Sequence, residues 1–205
     1  MLERMPLRFI APFLLVLLLA ACGGGGGSGG ASTGANDLTA SPGTAVPNAS
    51  SNLCGYELGP NLIEGTVSKV HDGDTITVNG SSIRLDSIDA PELAQTYGAQ
   101  SQASLSRLLL GQTVRVAYSK LDQYGRVVGS VFTGNCQYAN LEQVAVGSAW
   151  FYRAYQCEIS ATGRDRFDSA ESSAKAARLG LWAQAEPIAP WVFRNGSNPE
   201  IPSCP

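Results

Sequence analysis

The stretch NLIEGTVSKVHDGDTITVNGSSIRLDSIDAPE, residues 61–92, constrains this chain more than any other. Apolar and polar side chains alternate over Thr75–Val78 and again over Ser82–Ile88, the period of strands with one buried face. Between them stands Asn79-Gly80, a dipeptide suited to a two-residue hairpin turn, whose central residues need positive φ. A two-residue loop puts Asp74 opposite Leu85, and hence beside Arg84; a loop one or two residues longer would shift the pairing and keep only the proximity. Asn61–Val70 reads as a preceding strand. Five carboxylates, Asp72, Asp74, Asp86, Asp89 and Glu92, crowd the strand ends around Arg84. Their repulsion weakens a hairpin unless positive charge offsets it.

Beyond the hairpin the pattern continues in order. Tyr97–Leu110 reads as a helix with Ala103, Leu105, Leu108 and Leu109 on its apolar side and Gly111 as its stop. Thr113–Ser119 and Val127–Phe132 read as strands joined by a turn at Asp122–Arg126. Ala139–Gly147 reads as a short helix. Arg164–Leu179 reads as a longer one, with Phe167, Ala170, Ala174 and Ala177 inward and Gly180 at its end. From Trp182 the chain is proline-rich and is expected to wrap over the surface. The order predicts a mainly β, α+β domain: an OB-fold, five-stranded antiparallel barrel packed with about three helices. The open face of such barrels receives single-stranded nucleic acid or oligosaccharide.

The N-terminal quarter has a different character. Arg4 and Arg8 precede or flank an apolar run, Phe9–Ala20, that contains Pro12. That run is shorter than the ~20 residues a membrane-spanning helix needs, so residues 1–21 read as an export signal. Leu19-Ala20-Ala21-Cys22-Gly23 resembles a bacterial lipobox, which implies cleavage before Cys22 and its lipidation. Residues 22–53 follow as a Gly/Ser/Ala/Pro tether, too poor in large apolar residues to order itself. Residues 54–205 are left as the folded domain. The localisation expected is the bacterial cell envelope, at the outer membrane or cell surface, with the lipid bilayer as partner.

Cys54, Cys136, Cys157 and Cys204 remain, an even number in an exported chain, which points to two disulfides. Because Cys54 and Cys204 bracket the domain, the expected pairs are Cys54–Cys204 and Cys136–Cys157. No CxxC spacing supports zinc, and the one histidine, His71, is remote from all four in sequence. A formal net charge of −3 argues against a module that binds nucleic acid by bulk charge. An anionic substrate would need local cations, either arginines or a bound metal ion.

The acidic block divides by chemistry. Asp74 and Asp89 are candidate ligands of a hard cation such as calcium, which takes oxygen donors from separate strands. Ala90, restricted by the following Pro91, offers its carbonyl as a third donor. Glu92 is placed to take a proton from a nearby water as general base. Arg84 and Arg126 are the candidate phosphate ligands, each able to donate two parallel hydrogen bonds. Tyr124 and Tyr155 suit base stacking. Asp72 and Asp86 read as turn and surface residues, and His71 as an exposed turn residue. Trp150, Trp182 and Trp191 read as packing anchors. Arg164, Arg166, Lys175 and Arg178 read as a solvated helix face.

These residues resemble the staphylococcal nuclease-like (thermonuclease) family. The matching pieces are VHDGDTITV, IRLDSIDAPE, DQYGR, GSAWFYRAY, GLW and PWVFR, in family order from about Leu62 to Arg194. The resemblance implies an OB-fold and calcium-dependent cleavage of DNA, RNA or both, with single strands preferred and 3′-phosphate products. It also implies metal binding by Asp74, Asp89 and the Ala90 carbonyl, Glu92 as base, and Arg84 and Arg126 on the phosphate. Tyr124 and Tyr155 match nucleotide-contacting tyrosines. Gln123 stands where a lysine lies near the phosphate, and Arg153 where a tyrosine stacks on a base, so Arg153 is a candidate stacking residue. The domain is expected to be monomeric. The rival expectation is a non-catalytic OB module that captures nucleic acid or oligosaccharide.

Overall fold

The computed structural model describes residues 52–57 and 59–205. The leader 1–21, Cys22 and the tether to residue 51 lie outside the described residues. Asn52–Leu53 (β1), the end of the expected tether, pairs with Tyr56–Glu57 (β2). Then come β3 (Asn61–Val70), β4 (Thr75–Val78), β5 (Ser81–Leu85), β6 (Ile88–Asp89), α1 (Gly98–Leu109), β7 (Thr113–Leu121), β8 (Val127–Thr133), α2 (Ala139–Ala145), β9 (Trp150–Phe151), α3 (Ala161–Ala176) and α4 (Pro190–Asn195). Two 3₁₀ helices cover Arg153–Glu158 and Gly180–Ala183. Among the described residues no helix is long and apolar enough to cross a membrane.

Five strands close a barrel in the order β3-β4-β5-β8-β7. The β4–β5 hairpin has the register expected from Asn79-Gly80: Val78 faces Ser81, Thr75 faces Arg84, and the Leu85 N–H donates to the Asp74 carbonyl at 2.8 Å. The expectation of a wholly antiparallel barrel needs correction, because β5 runs parallel to β8. An odd number of strands cannot alternate in direction around a closed ring, so at least one neighbouring pair must be parallel. That pairing sets Arg84 beside Val128 and brings the hairpin next to the β7–β8 turn.

Ile76, Val78, Ile83 and Leu85 alternate inward and are fully buried with Val114, Val116 and Val131. Burying side chains of this size stabilises the barrel by roughly 1.5–3 kcal/mol each. Helix α1 packs through Gly98, Ser101, Leu105 and Leu109. Ala103, expected inward, is exposed, because the i, i+3, i+4 stripe that starts at Gly98 passes it by. On α3 the inward residues are Phe167, Glu171 and Ala174, and Ala177 lies beyond the helix. The carboxylate of Glu171 takes the place expected to be alanine-lined. It accepts the Phe151 N–H at 3.0 Å and bonds Arg153 at 3.0 Å and Lys175 at 2.8 Å. The basic face of α3 is therefore only partly solvated: Lys175 also lies over the Trp182 ring, and Arg166 over Tyr56.

The disulfides are Cys54–Cys136 and Cys157–Cys204, not the pairs expected from sequence. Bracketing a domain in sequence says nothing about which barrel end a terminus meets. Tyr56 packs against Phe132 and Tyr138, and this carries Cys54 to the turn after β8 that holds Cys136. At the other end, Gln156 donates to the Pro202 carbonyl at 2.7 Å, beside the Cys157–Cys204 bond.

Candidate active site

A cleft of about 690 Å³ opens where the β4–β5 hairpin, the segment after β6, the 122–126 turn and the C-terminal segment meet. Gly73 lets the chain enter the hairpin here: a Cβ at this position would lie 1.8 Å from the Ser101 hydroxyl oxygen and 2.6 Å from the Ala90 Cβ. The Gly73 carbonyl is held by Gln143 Nε2 at 2.8 Å. The turn is thus clamped between α1 and α2, and Asp74 leaves it at a fixed angle.

Asp74 is buried, with Oδ1 accepting from the Thr75 hydroxyl at 3.0 Å and Oδ2 accepting the Ala90 N–H at 2.9 Å. The second bond ties the hairpin to the residue after Asp89. Arg84, across from Thr75, reaches Asp89 Oδ1 at 3.0 Å and lies 3.5 Å from Asp74 Oδ2, and its Nη1 donates to the Leu85 and Ile88 carbonyls at 3.0 Å each. Burial works against its charge, but Asp74 and Asp89 outweigh that and raise its pKa. Asp89 itself is 1 % exposed, and its backbone pairs with Trp150 of β9. Burial, aided by the Asp74 charge, pushes Asp89 up to about 6 despite Arg194 and Arg84. Burial and Asp74 likewise push Asp72 up to about 6. Burial and the neighbouring Asp74 carboxylate thus act together on Asp72 and Asp89.

Glu92 is set by its own loop. Its N–H donates to Gln95 Oε1 at 2.9 Å, and its carbonyl accepts the Gln95 N–H at 2.8 Å. Gly98 admits this return, since a Cβ there would lie 1.9 Å from the Glu92 carbonyl oxygen. On the far wall, Asp122 organises the 122–126 turn by accepting the N–H groups of Tyr124 and Arg126 at 2.9 Å each. Asp122 Oδ2 also accepts from Arg126 Nε at 2.7 Å. Burial would raise Asp122, but the Arg126 bonds dominate and hold it below the usual carboxylate range.

The donor set suits a hard cation: two buried carboxylates, Asp74 and Asp89, on adjacent segments, in a pocket where carboxylate charge exceeds what the arginines neutralise. Among the described residues no group of three or more His, Cys, Asp or Glu side chains forms a ready cage. Further ligands would have to be backbone, water or substrate oxygens, as hard-cation sites commonly use.

Comparison with known proteins bears on this arrangement. The profile of the family described as "Staphylococcal nuclease homologue" matches residues 82–184. A protein of Escherichia coli named "Uncharacterized endonuclease" is 37% identical over 137 residues, covering 65% of this chain and 86% of that protein. The chain belongs to the staphylococcal nuclease homologue family. It is also similar to a Shigella flexneri protein named "Micrococcal nuclease", 36% identical over 145 residues, covering 65% of this chain and 81% of that one. A Haemophilus influenzae protein named "Uncharacterized endonuclease" is 36% identical over 133 residues, 62% and 71% of the two chains.

In this staphylococcal nuclease homologue the cleft gathers Asp74, Arg84, Asp89, Ala90, Glu92, Tyr124, Arg126 and Tyr155. Ala90 enters with its N–H bound to Asp74. Arg153 is not brought there: it bonds Asp168 and Glu171 on α3 and lies over the Phe151 ring. Asp72, read as a turn residue, lines the cleft and accepts the Asp74 N–H at 3.0 Å. Asp86, read as a surface residue, is bonded by Ser130, Tyr138 and Asn140, and burial raises its pKa. His71 is half-buried, with Nε2 2.7 Å from the Thr77 hydroxyl.

The sequence reading missed Asp122 and Arg194. The DxxxR spacing of a side-chain-closed turn could have flagged the first. The second ends the PWVFR piece of the family resemblance, but no spacing ties it to Asp89, since it arrives with the C-terminal segment. There Trp191 packs against Trp150 and Tyr152, with ring centroids at 5.5 and 5.3 Å, so the tryptophans do anchor packing.

Proposed function

We propose that this protein is a calcium-dependent nuclease that hydrolyses phosphodiester bonds of DNA, RNA or both and leaves 3′-phosphate ends. The observation that carries the reading is the convergence of Glu92, two buried aspartates and Arg84 and Arg126 in one cleft of a staphylococcal nuclease homologue. The names of the similar endonucleases support the same reaction class.

Asp74 and Asp89 would hold the ion, which when bound supplies positive charge to a phosphate oxygen. Glu92 accepts the proton of a water whose oxygen attacks phosphorus. The P–O5′ bond breaks, and the departing oxygen takes a proton from solvent to become a 5′-hydroxyl. Arg126, whose Nη groups have no protein hydrogen-bond partner among the described residues, donates to the phosphoryl oxygens as their charge grows. Arg84, already bound to Asp89 and two carbonyls, acts mainly through field and alignment. Tyr124, 73% exposed, and Tyr155, 54% exposed, offer flat faces to bases of a single strand.

We place the enzyme outside the cytoplasm, tethered to the bacterial envelope through lipid on Cys22. The AAC motif behind an apolar leader and two disulfides support this. Cys22→Ala should release it from membranes. The reaction is tested by incubating purified protein with single-stranded DNA or RNA and calcium. Products should carry 3′-phosphate, and chelator should stop the reaction. Failure to cleave under any divalent ion would overturn the reading.

A further inference from the structure

We infer that Arg194 is a positioning residue of the active site, carried in by the C-terminal segment to hold the ion ligand Asp89 and the base Glu92 in one fixed arrangement. The inference rests on the nuclease reading and adds a residue to it. Arg194 Nη2 lies 2.6 Å from Asp89 Oδ2, and Nη1 lies 3.2 Å from Asp89 Oδ1 and 2.6 Å from Glu92 Oε1. One rigid fork therefore spans both carboxylates, a geometry that lysine cannot copy.

Among the described residues Arg194 is the sole hydrogen-bond partner of the Glu92 carboxylate. The Glu92 backbone is fixed by Gln95, but its side chain, on the exposed side of the cleft, is oriented by Arg194 alone. A base free to turn about several bonds spends little time aimed at its proton.

The alternative is that Arg194 only pins the tail, but the tail is already pinned three times. Gln95 Nε2, on the side chain that fixes Glu92, donates to the Ile188 carbonyl at 3.0 Å. Trp191 packs on Trp150, whose backbone pairs with Asp89. Cys204 is bonded to Cys157. These contacts fix α4 from both sides and deliver Arg194 across 105 residues of sequence to Asp89. Gly196, at φ 75°, ends α4 immediately after this turn.

Three arms test the inference on the whole protein. Arg194→Ala should lower kcat on the order of 10²-fold, the scale of a misplaced group, with KM for single-stranded DNA nearly unchanged. Added millimolar guanidinium should restore part of the rate, and Arg194→Lys should fall between wild type and Ala. The protein should stay folded, since the other anchors remain, with a melting temperature lowered by the lost bonds to buried Asp89. Without any activity measurement, NMR should show hindered rotation and slow exchange of the wild-type Arg194 Nη protons, unlike those of exposed Arg178. Unchanged kcat in a folded Arg194→Ala protein would overturn the inference, as would an Arg194 signal as mobile as that of Arg178. A wild type that cleaves nothing would instead defeat the nuclease reading, and the NMR arm would still decide the grip.

Discussion

Asp122 holds Arg126 from its own turn: one carboxylate oxygen accepts from Nε at 2.7 Å while the other accepts the Arg126 and Tyr124 N–H groups at 2.9 Å. The guanidinium is thereby aimed into the cleft with Cζ 5.5 Å from the Tyr124 ring centroid. Arg126→Ala should lose on the order of 3–4 kcal/mol of transition-state stabilisation, the scale of one lost donor to a developing oxyanion. Asp122→Ala, which keeps the charge but frees it, should lose about tenfold in kcat. Single-turnover rates measure both, and equal losses would show that aim and charge cannot be separated here.

Arg153 lies on the wrong side of β9 to stack on a base. Arg153→Ala should leave KM for single-stranded DNA unchanged and lower the melting temperature. Glu171→Ala should be worse, by about 3–5 kcal/mol, because it leaves the buried Phe151 N–H unpaired and removes the carboxylate that Arg153 and Lys175 share. Denaturant unfolding reads this directly. A KM effect without a stability effect would return Arg153 to the substrate.

Asp86 imposes a pH dependence. Burial raises its folded pKa above 3.8, against hydrogen bonds from Ser130, Tyr138 and Asn140 that favour the charged form. The folded state thus holds this proton more tightly than the unfolded chain. The associated stability is complete below 3.8 and is lost as pH rises through the folded value. Asp86→Asn removes that loss, so its melting temperature should exceed wild type at pH 7 by more than it does at pH 3. An equal difference at both pH values would contradict the assignment.

The Cys157–Cys204 bond closes a 47-residue separation and ties the end of the C-terminal segment to the 3₁₀ helix that carries Tyr155. Cys157→Ser with Cys204→Ser should lower stability by roughly 3–4 kcal/mol on chain-entropy grounds. It should also reduce activity several-fold, because the segment bearing Arg194 is released at one end. Cys54→Ser with Cys136→Ser, at the other end of the barrel, should lower stability but spare activity in the folded fraction. Equal activity losses from the two pairs would contradict a specific role for the tail.

The hairpin and the gathering of Asp74, Arg84, Asp89 and Glu92 in one cleft were legible because local alternation and a short turn bring them together. The sequence placed Asp74 near Arg84 for any short loop, and the two-residue turn of the structure fixes the register that sets them side by side. The barrel's five strands followed from the same alternation. What escaped the sequence was decided by long-range packing. Glu171 drew no notice because nothing in its neighbourhood announces that the Phe151 N–H needs a carboxylate. The disulfide pairs depended on Tyr56 docking on Phe132, a contact across the barrel. Arg194 sits in a proline-rich tail that reads as a wrapping segment, and only the docking of Trp191 shows where it leads.

Binding and turnover separate at Glu92. Cleavage of a single-stranded DNA oligonucleotide with calcium should be slowed about 10²–10⁴-fold by Glu92→Gln, the range for a lost general base, while the affinity for the strand changes little. A wild-type protein that binds the strand without cutting it, with Glu92→Gln binding equally well, would contradict the account and leave a binding module in its place.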